Sequence, residues 1–408
     1  MHSKFLYFFN IVSGSDNLHR PYWMTKDVLL VSFSAFFADV GYQTGIALFP
    51  LVLVTALGAS AYTFGLATAV AFGIGSFFGY LGGLMSSKFN DKYVAILGNA
   101  FIPLISLMGL ASSPFIAIVL FCGGWWARNF RTPSRRAILV NATTKEDRGK
   151  AFGFLHMLDI GGGALSIVIL LALLLLGISY ATILLITILP LTVSTLLLLF
   201  TKETKGHLSA AAKGKFQAVT KKVKIAGKTY KGIIAATALY GFSSYSFGFP
   251  IITLSQVSGQ VIAIASYGLY LGVSAIAGYY FGSRGWNKVR TLSLAGYMLS
   301  GLGTLAIAIG YFLGLGTVSL LLGVVILGIG LGAIETLEPT IISFIKKNKD
   351  LGKGMGTLAG SRSLGIFSAN LIMGILYVFN PTESYLYAAI VALIAGFIVL
   401  RYGRGFSE

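Results

Sequence analysis

Charged side chains are rare within the apolar segments of this 408-residue sequence, so each one is a candidate for chemistry. Asp39 lies 12 residues after Asp27 (39 − 27), about 18 Å further along a helix, and Tyr42 and Gln43 follow it. A carboxyl group at this depth could carry a transported proton, because desolvation favours its neutral form and a nearby cation favours its charged form. Tyr42 and Gln43 are then candidates for cavity or substrate contacts. The alternative is a structural Asp39 that braces a broken helix.

Two further carboxyl groups, Glu335 and Glu338, are three residues apart and therefore share one face of a helix. Two carboxylates so close would not both ionise comfortably inside a membrane, which favours holding a proton on one of them. An ion pair with a neighbouring helix is the alternative. Because ionisable groups in a membrane are costly and often functional, we take Asp39, Glu335 and Glu338 as candidates for proton coupling.

Arg128 and Arg131 also share a face of one predicted helix. They could form a salt bridge with the acidic pair that closes one side of the molecule. They could instead bind an anionic substrate, since a guanidinium group suits carboxylate or phosphate. For Arg131 we favour a third interpretation, in which it packs against Asp159 within the same half of the chain.

The remaining polar candidates are interpreted first as structural. His156 and Asp159 are three residues apart, and a proton relay through His156 is the weaker alternative. Tyr240 and Tyr245 could line a cavity, although aromatic residues at helical spacing are more often packing. The candidate network for gating or bracing consists of Lys88, Asp91, Arg135, His156, Asp159 and Arg362.

The composition identifies the elements that must hold these residues. The chain is 56% hydrophobic and only 11% charged, with a mean hydropathy of +0.82, so the bilayer must be its solvent. A membrane-spanning helix needs about 20 apolar residues. Twelve segments qualify: 27–56, 62–86, 92–111, 114–138, 151–176, 180–201, 231–255, 260–282, 289–312, 317–345, 354–379 and 384–402.

The basic residues define the orientation. Alternate connections, near Gly58, Ser112, Gly177, Ser258, Gly314 and Asn380, contain no Lys or Arg, whereas the other connections carry basic clusters. The positive-inside rule therefore places both termini in the cytoplasm of a multi-pass plasma-membrane protein. The same rule accounts for the net charge of +18, so we expect no binding of nucleic acid. The basic connections would face the anionic cytoplasmic leaflet.

The two halves of the chain repeat each other. The stretch 147–153 aligns with 350–356 at an offset of 203, and Phe49-Pro50 aligns with Phe249-Pro250 at an offset of 200. Six spans per half preserve direction, so the repeats are parallel and a substrate is expected between them near midplane. The predicted organisation is a tail at 1–25, a six-helix bundle at 26–201, a basic linker at 202–230, a second bundle at 231–403 and a tail at 404–408.

The chain resembles the major facilitator superfamily over residues 26–403. The resemblance is most specific at 131–140 and 145–154, where the sequence is similar to the junction between the fourth and fifth helices of prokaryotic permeases. The family's loop signature at 83–92 is only partly present, because Ser87 replaces its aspartate and Lys88 its arginine. The resemblance implies an all-α fold of twelve transmembrane helices in two pseudo-symmetric six-helix bundles. It also implies that the first, fourth, seventh and tenth helices line the central cavity.

The sequence contains no nucleotide-binding loop, no Cys-x-x-Cys metal spacing and no nucleophile elbow. We therefore expect no enzyme activity, no cofactor and no metal. The predicted function is secondary active transport of a small molecule by alternating access, with protons as the coupling ion and export slightly favoured over import. A facilitator or exchanger of organic anions that uses Arg128 and Arg131 is the alternative. A non-transporting receptor or scaffold is a remote one, and we expect a monomer.

Overall fold

The computed structural model describes residues 22–144, 147–202, 220–283, 287–345 and 348–402, and this part of the chain consists of helices joined by short turns. We number the helical units in chain order. The first half contains α1 (Lys26–Pro50, continued by Leu51–Ala56), α2 (Ala61–Thr68, Ala69–Gly73 and Ile74–Lys88), α3 (Asp91–Ala100, Leu104–Leu107 and Met108–Leu110), α4 (Pro114–Asn141), α5 (Arg148–Leu175) and α6 (Tyr180–Ile186 and Ile188–Leu199).

The second half follows the same plan. It contains α7 (Thr220–Gly241 and Gly248–Ser258), α8 (Gln260–Ser283), α9 (Lys288–Thr291, Leu292–Met298 and Leu299–Phe312), α10 (Gly316–Ile345), α11 (Asn348–Phe379) and α12 (Pro381–Tyr402). Among the described helices, ten units are long and apolar enough to cross a membrane. The other two, α4 and α7, occupy the positions of the fourth and seventh predicted spans, so the arrangement is consistent with twelve.

The seventh span differs from its prediction as one continuous segment. Its helix ends at Gly241 and a second helix begins at Gly248. The hydroxyl groups of Ser243 and Ser244 donate to the Tyr240 carbonyl, at 2.7 and 3.0 Å, and so bond a carbonyl of the last helical turn. Pro250 lies in the first turn of the second helix, where its missing amide hydrogen costs no hydrogen bond.

The same pairs of helices pack in both halves, as the predicted pseudo-symmetry requires. In the first half α1 packs against α5 and α6, and α4 packs against α2 and α3. In the second half α7 packs against α11 and α12, and α10 packs against α8 and α9. The two halves meet where α2 contacts α11 and where α5 contacts α8.

We call the side of the molecule with the uncharged connections the neutral face and the opposite side the basic face. The halves are packed together near the neutral face. A Cβ added to Gly65 of α2 would lie 2.6 Å from Gly374 Cα of α11, so the two backbones touch. The Phe64 and Phe249 rings of opposite halves also meet edge to face, with centroids 5.1 Å apart. This conformation is therefore closed at the neutral face.

The predicted tails and linker fall largely on residues 1–21, 203–219 and 403–408, which lie outside the described residues. The domain boundaries and the cytoplasmic location of the termini accordingly stay predictions.

Candidate functional site

Asp39 lies in the middle of α1 and is only 4% exposed. Tyr42 and Gln43 follow at spacings of three and four residues, so all three side chains share one face of the helix. The Tyr42 hydroxyl donates to Asp39 Oδ1, and Gln43 Nε2 donates to the same oxygen at 3.4 Å. The other carboxyl oxygen, Oδ2, is buried and has no hydrogen-bond partner among the described residues.

Arg128 of α4 completes the site on the side of the first half. Its Nη2 donates to the Tyr42 hydroxyl at 3.1 Å. The guanidinium carbon lies 5.0 Å from the centre of the Tyr42 ring and 4.9 Å from that of Trp125, within range of a cation–π interaction. Within the described part of the chain no carboxylate lies at ion-pair distance from Arg128, so the Tyr42 hydroxyl separates this cation from Asp39.

A glycine lets α5 approach Asp39 closely. A Cβ added to Gly162 would lie 2.4 Å from the Phe36 carbonyl oxygen and 3.1 Å from Asp39 Cβ. The backbone of α5 therefore covers α1 at this point, as small residues at membrane helix contacts allow. This contact helps to explain the burial of the Asp39 carboxyl group.

The second half reaches the same site through α8. The Tyr267 hydroxyl donates to Gln43 Oε1 at 2.9 Å, so a hydrogen bond joins the two halves at the centre of the molecule. Around Tyr267, the Phe247 ring lies 5.4 Å away, and the Phe247 and Tyr270 rings stack with centroids 4.3 Å apart. The central site thus combines a carboxyl group, a guanidinium group and an aromatic wall.

The acidic pair on α10 lies elsewhere and already has a cation. Arg362 of α11 donates to Glu335 Oε1 and to Glu338 Oε2, both at 2.5 Å. Glu338 is 1% exposed and also accepts from the hydroxyls of Tyr297 and, at 3.1 Å, Thr237, whereas the Glu335 side chain is 56% exposed. The ion-pair alternative is therefore the one observed. Among the described residues the salt bridge expected between α4 and α10 is not formed in this conformation, and both glutamates instead pair with Arg362.

The first half contains an equivalent ion pair in which the acidic and basic positions are exchanged between the helices. Arg135 Nη2 of α4 lies 3.3 Å from Asp159 Oδ2 of α5. An offset of 203 places Arg135 at the position of Glu338 and Asp159 at that of Arg362 (135 + 203 and 159 + 203). Equivalent helix pairs are thus joined by equivalent ion pairs, and the bracing role of Asp159 and Arg362 stays a prediction.

The favoured interpretation of Arg131, as the partner of Asp159, is wrong in this conformation. Arg131 is 1% exposed and its Nη1 donates to Asn99 Oδ1 of α3, while Arg135 takes Asp159. Glycine at position 98 makes room, since a Cβ there would lie 2.8 Å from Arg131 Cβ. Arg131 therefore points into the first bundle and is separate from the group around Asp39.

The other predicted residues lie in packing environments. Tyr240 and Tyr245 bond to Ser300 and Thr304 at 2.8 and 3.2 Å, inside the second bundle. The outlying members of the predicted charge network do not join the central site, since Asp91 is buried and accepts from Ser86, whereas Lys88 and His156 are exposed. Sequence reasoning missed Tyr267 and Asn99, because one tyrosine among 20 and one amide within an apolar segment carry no distinctive signal.

Comparisons with known proteins agree with this geometry. The sequence model of the family described as "Major Facilitator Superfamily" matches residues 31–305, more than half of the chain. An uncharacterized MFS-type transporter of Methanocaldococcus jannaschii is 25% identical over 393 residues, covering 92% of this chain and 95% of that protein.

Two solved structures illustrate the likeness of fold. A POT family transporter in complex with a thioalcohol-conjugated peptide has a TM-score of 0.76 at 12% identity, covering 93% of this chain and 96% of that one. A bacterial homologue of the human lysosomal transporter Spinster, inward-facing and unoccupied, has a TM-score of 0.73 at 15% identity, covering 94% and 98%. At such identities the structures show the fold alone. The family match over more than half of the chain establishes that this chain belongs to the Major Facilitator Superfamily and, with the transporter relative, that it is a membrane transporter of that type.

Proposed function

We propose that this protein is a secondary active transporter that moves a small molecule across the cell membrane by alternating access and couples this movement to protons through Asp39. The main observation in support is that the Asp39 carboxyl group is buried and that its Oδ2 has no hydrogen-bond partner among the described residues. A charged, buried oxygen without a hydrogen bond is costly, and protonation removes that uncompensated charge. A group that gains from a proton and is linked to the second half through the Gln43 side chain is suited to coupling.

The three candidates for the coupling site differ in their surroundings. Glu338 accepts three hydrogen bonds, one of them from Arg362, so its negative charge is compensated and gains little from a proton. Glu335 shares the same arginine and is largely exposed. Asp39 instead faces Arg128 only through the Tyr42 hydroxyl. The contrast supports Asp39 as the coupling group and the α10 pair as structural.

For the substrate we propose an amphipathic small molecule, with export as the favoured direction. The polar group of such a molecule would meet Asp39 or Arg128, and its apolar part would meet the aromatic rings of Trp125, Phe247 and Tyr270. A compound of this kind can be found by a thermal-shift screen over metabolites and drugs, because a ligand that binds only the folded protein raises its melting temperature.

Flux of a compound identified in that screen, measured in proteoliposomes with an imposed pH gradient, tests the proposal. We expect Asp39→Asn to lose gradient-driven accumulation while it still exchanges the compound across the membrane, since the substitution keeps the shape of the side chain and removes the proton site. Glu335→Gln, the same chemical change at an exposed carboxyl group, should accumulate the compound like the wild type. Undiminished accumulation by Asp39→Asn would refute coupling through this residue.

A second candidate function, transport of organic anions without protons, is favoured by one observation. Arg128 is a partly exposed cation that has no carboxylate at ion-pair distance among the described residues. A guanidinium group in that state suits a substrate carboxylate or phosphate. In the same flux assay, loss of anion uptake in Arg128→Gln together with normal accumulation in Asp39→Asn would favour this function over the first.

A further inference from the structure

The hydrogen bonds around Asp39 form one continuous chain between helices of opposite halves. Arg128 donates to Tyr42, and Tyr42 donates to Asp39 Oδ1. On the other side Tyr267 donates to Gln43 Oε1, and Gln43 Nε2 donates to the same oxygen of Asp39. In each of these four hydrogen bonds the donor lies on the side away from Asp39, so all of them are directed towards its carboxyl group. The charge on that group therefore supports all four hydrogen bonds.

The Gln43 amide transmits this support to the second half. Its NH₂ group donates a hydrogen bond to Asp39 and its carbonyl oxygen accepts one from Tyr267. Because the amide is planar, the orientation of one hydrogen bond determines that of the other. Hydrogen bonds to a charged acceptor are roughly twice as strong as those to a neutral one. Protonation of Asp39 thus weakens the bond that orients the amide, and the bond to Tyr267 loses its fixed acceptor.

Tyr267 lies at the interface between the two halves. Its neighbour Gly268 is a point of close packing, since a Cβ there would lie 2.9 Å from Ile167 Cγ2 of α5. The α5–α8 contact is one of the helix contacts that hold the halves together in this conformation. A hydrogen bond that depends on the charge of Asp39 therefore lies beside a contact that must separate when the neutral face opens.

We infer that Gln43 and Tyr267 are positioning residues that couple the protonation of Asp39 to the contact between the two halves. With Asp39 charged, the pair stabilises the conformation that is closed at the neutral face. With Asp39 protonated, the closed conformation loses this hydrogen bond and the neutral face opens more readily. The inference rests on the proposed function, in which Asp39 is the coupling group.

Other ionisable groups near Asp39 bear on its charge but do not form this link. They are Tyr42 on α1, Arg128, Arg131 and Arg135 on α4, Asp159 on α5 and, through Gln43, Tyr267 on α8. On α6 the contact with α1 at Gly41 is made by Leu191, which is uncharged. Of the hydrogen bonds that Asp39 and its immediate partners make within the described part of the chain, the one from Tyr267 is the bond that crosses to the other half.

The distance between spin labels across the neutral face, measured at mildly alkaline and mildly acidic pH, tests this coupling. Labels can be placed on cysteines at Ser112 and Glu383, which are exposed at the neutral face in opposite halves, after the buried Cys122 is replaced by Ala. In the wild type, acid should shift the population towards the longer distance. The expected change in the ratio of closed to open molecules is about 2- to 12-fold, the factor that one ordinary hydrogen bond supplies.

Tyr267→Phe removes only the hydroxyl group and keeps the ring. We expect it to be as open at alkaline pH as the wild type is in acid, and to lose the response to acid. Tyr180→Phe is the matched control, because the Tyr180 hydroxyl at the start of α6 is buried and makes no hydrogen bond within the described residues, so its response should be that of the wild type. Gln43→Met should behave like Tyr267→Phe, and the double variant should be no more open than either single one, since both interrupt one path.

The outcomes separate this inference from the proposed function. If acid shifts the wild type but not Asp39→Asn, and Tyr267→Phe still responds like the wild type, then Asp39 titrates as proposed and the inference about Gln43 and Tyr267 is wrong. If acid shifts neither the wild type nor any variant, the coupling role of Asp39 fails, and the inference fails with it.

Discussion

Replacing Arg362 by methionine should destabilise the protein strongly, because it leaves the Glu338 carboxylate buried without a cation. Glu338 is 1% exposed, and Arg362 Nη2 lies 2.5 Å from its Oε2. Removing one partner of a buried ion pair costs about 3–5 kcal/mol. Two hydroxyl donors, from Tyr297 and Thr237, remain on Oε1, so we expect a loss near the lower end, about 3 kcal/mol in the free energy of unfolding.

Glu335 provides a matched control for the effect of burial. It lies at the same 2.5 Å from the same guanidinium group, but its side chain is 56% exposed. Ion pairs in contact with solvent contribute about 0–1 kcal/mol, so Glu335→Gln should change the stability by less than about 1 kcal/mol. The double variant Arg362→Met with Glu338→Gln removes both buried charges and should recover about 2 kcal/mol or more relative to Arg362→Met alone.

Reversible unfolding in mixed detergent micelles, followed by circular dichroism as the fraction of denaturing detergent rises, would measure these free energies. The order expected from least to most destabilised is Glu335→Gln, the double variant, then Arg362→Met. A loss in Arg362→Met no larger than that in Glu335→Gln would refute the argument from burial. A double variant as unstable as Arg362→Met would show that the lost contact, rather than the unpaired charge, is what matters.

Two further substitutions test other parts of the fold. Gly65→Val should prevent closure of the neutral face, because its Cβ would lie 2.6 Å from Gly374 Cα. Spin labels across that face should then report the open distance alone. Gly161→Ala is the control, because no atom lies within 4 Å of the added Cβ, and it should leave the distances unchanged. Asn99→Leu should cost about 1.5–3 kcal/mol or more in the same unfolding assay, since it removes the hydrogen bond to the Arg131 guanidinium and those that Asn99 donates to Ser194 and Thr195. Asn99→Asp also loses the last two bonds but supplies a counter-ion to Arg131, so it should be less destabilised than Asn99→Leu. A closed population in Gly65→Val, or equal losses in the two Asn99 variants, would contradict these expectations.

Patterns that depend on chain-local physics could be predicted. The apolar segments had to be helices, because a backbone in lipid must satisfy its hydrogen bonds internally. Their ends lie within a few residues of the predicted ends along most of the chain. The repeat at an offset of 203, which is visible in the sequence, also relates Arg135 and Asp159 to Glu338 and Arg362, and both sets form ion pairs. The break in α7 was missed, since Ser243 and Ser244 do not by themselves end a helix.

The partners of the charged residues could not be predicted with the same success. Arg131 and Arg135 are four residues apart and chemically identical, yet the first bonds to Asn99 and the second pairs with Asp159. The choice depends on how α4 is rotated against α3 and α5. That rotation is fixed by close contacts such as the one at Gly98, where a Cβ would lie 2.8 Å from Arg131 Cβ.

The sequence by itself determined that this chain is a helical membrane protein with two related halves, because hydropathy, charge and repeats are properties of segments and need no knowledge of packing. It also identified Asp39 as a buried carboxyl group near midplane. Only the tertiary structure decided that Asp39 stays without a direct cation while Glu338 has one, and that Tyr267 reaches Gln43 from the other half. These facts depend on which helix faces meet, and many side chains at helical spacing are compatible with several neighbours until close packing selects one.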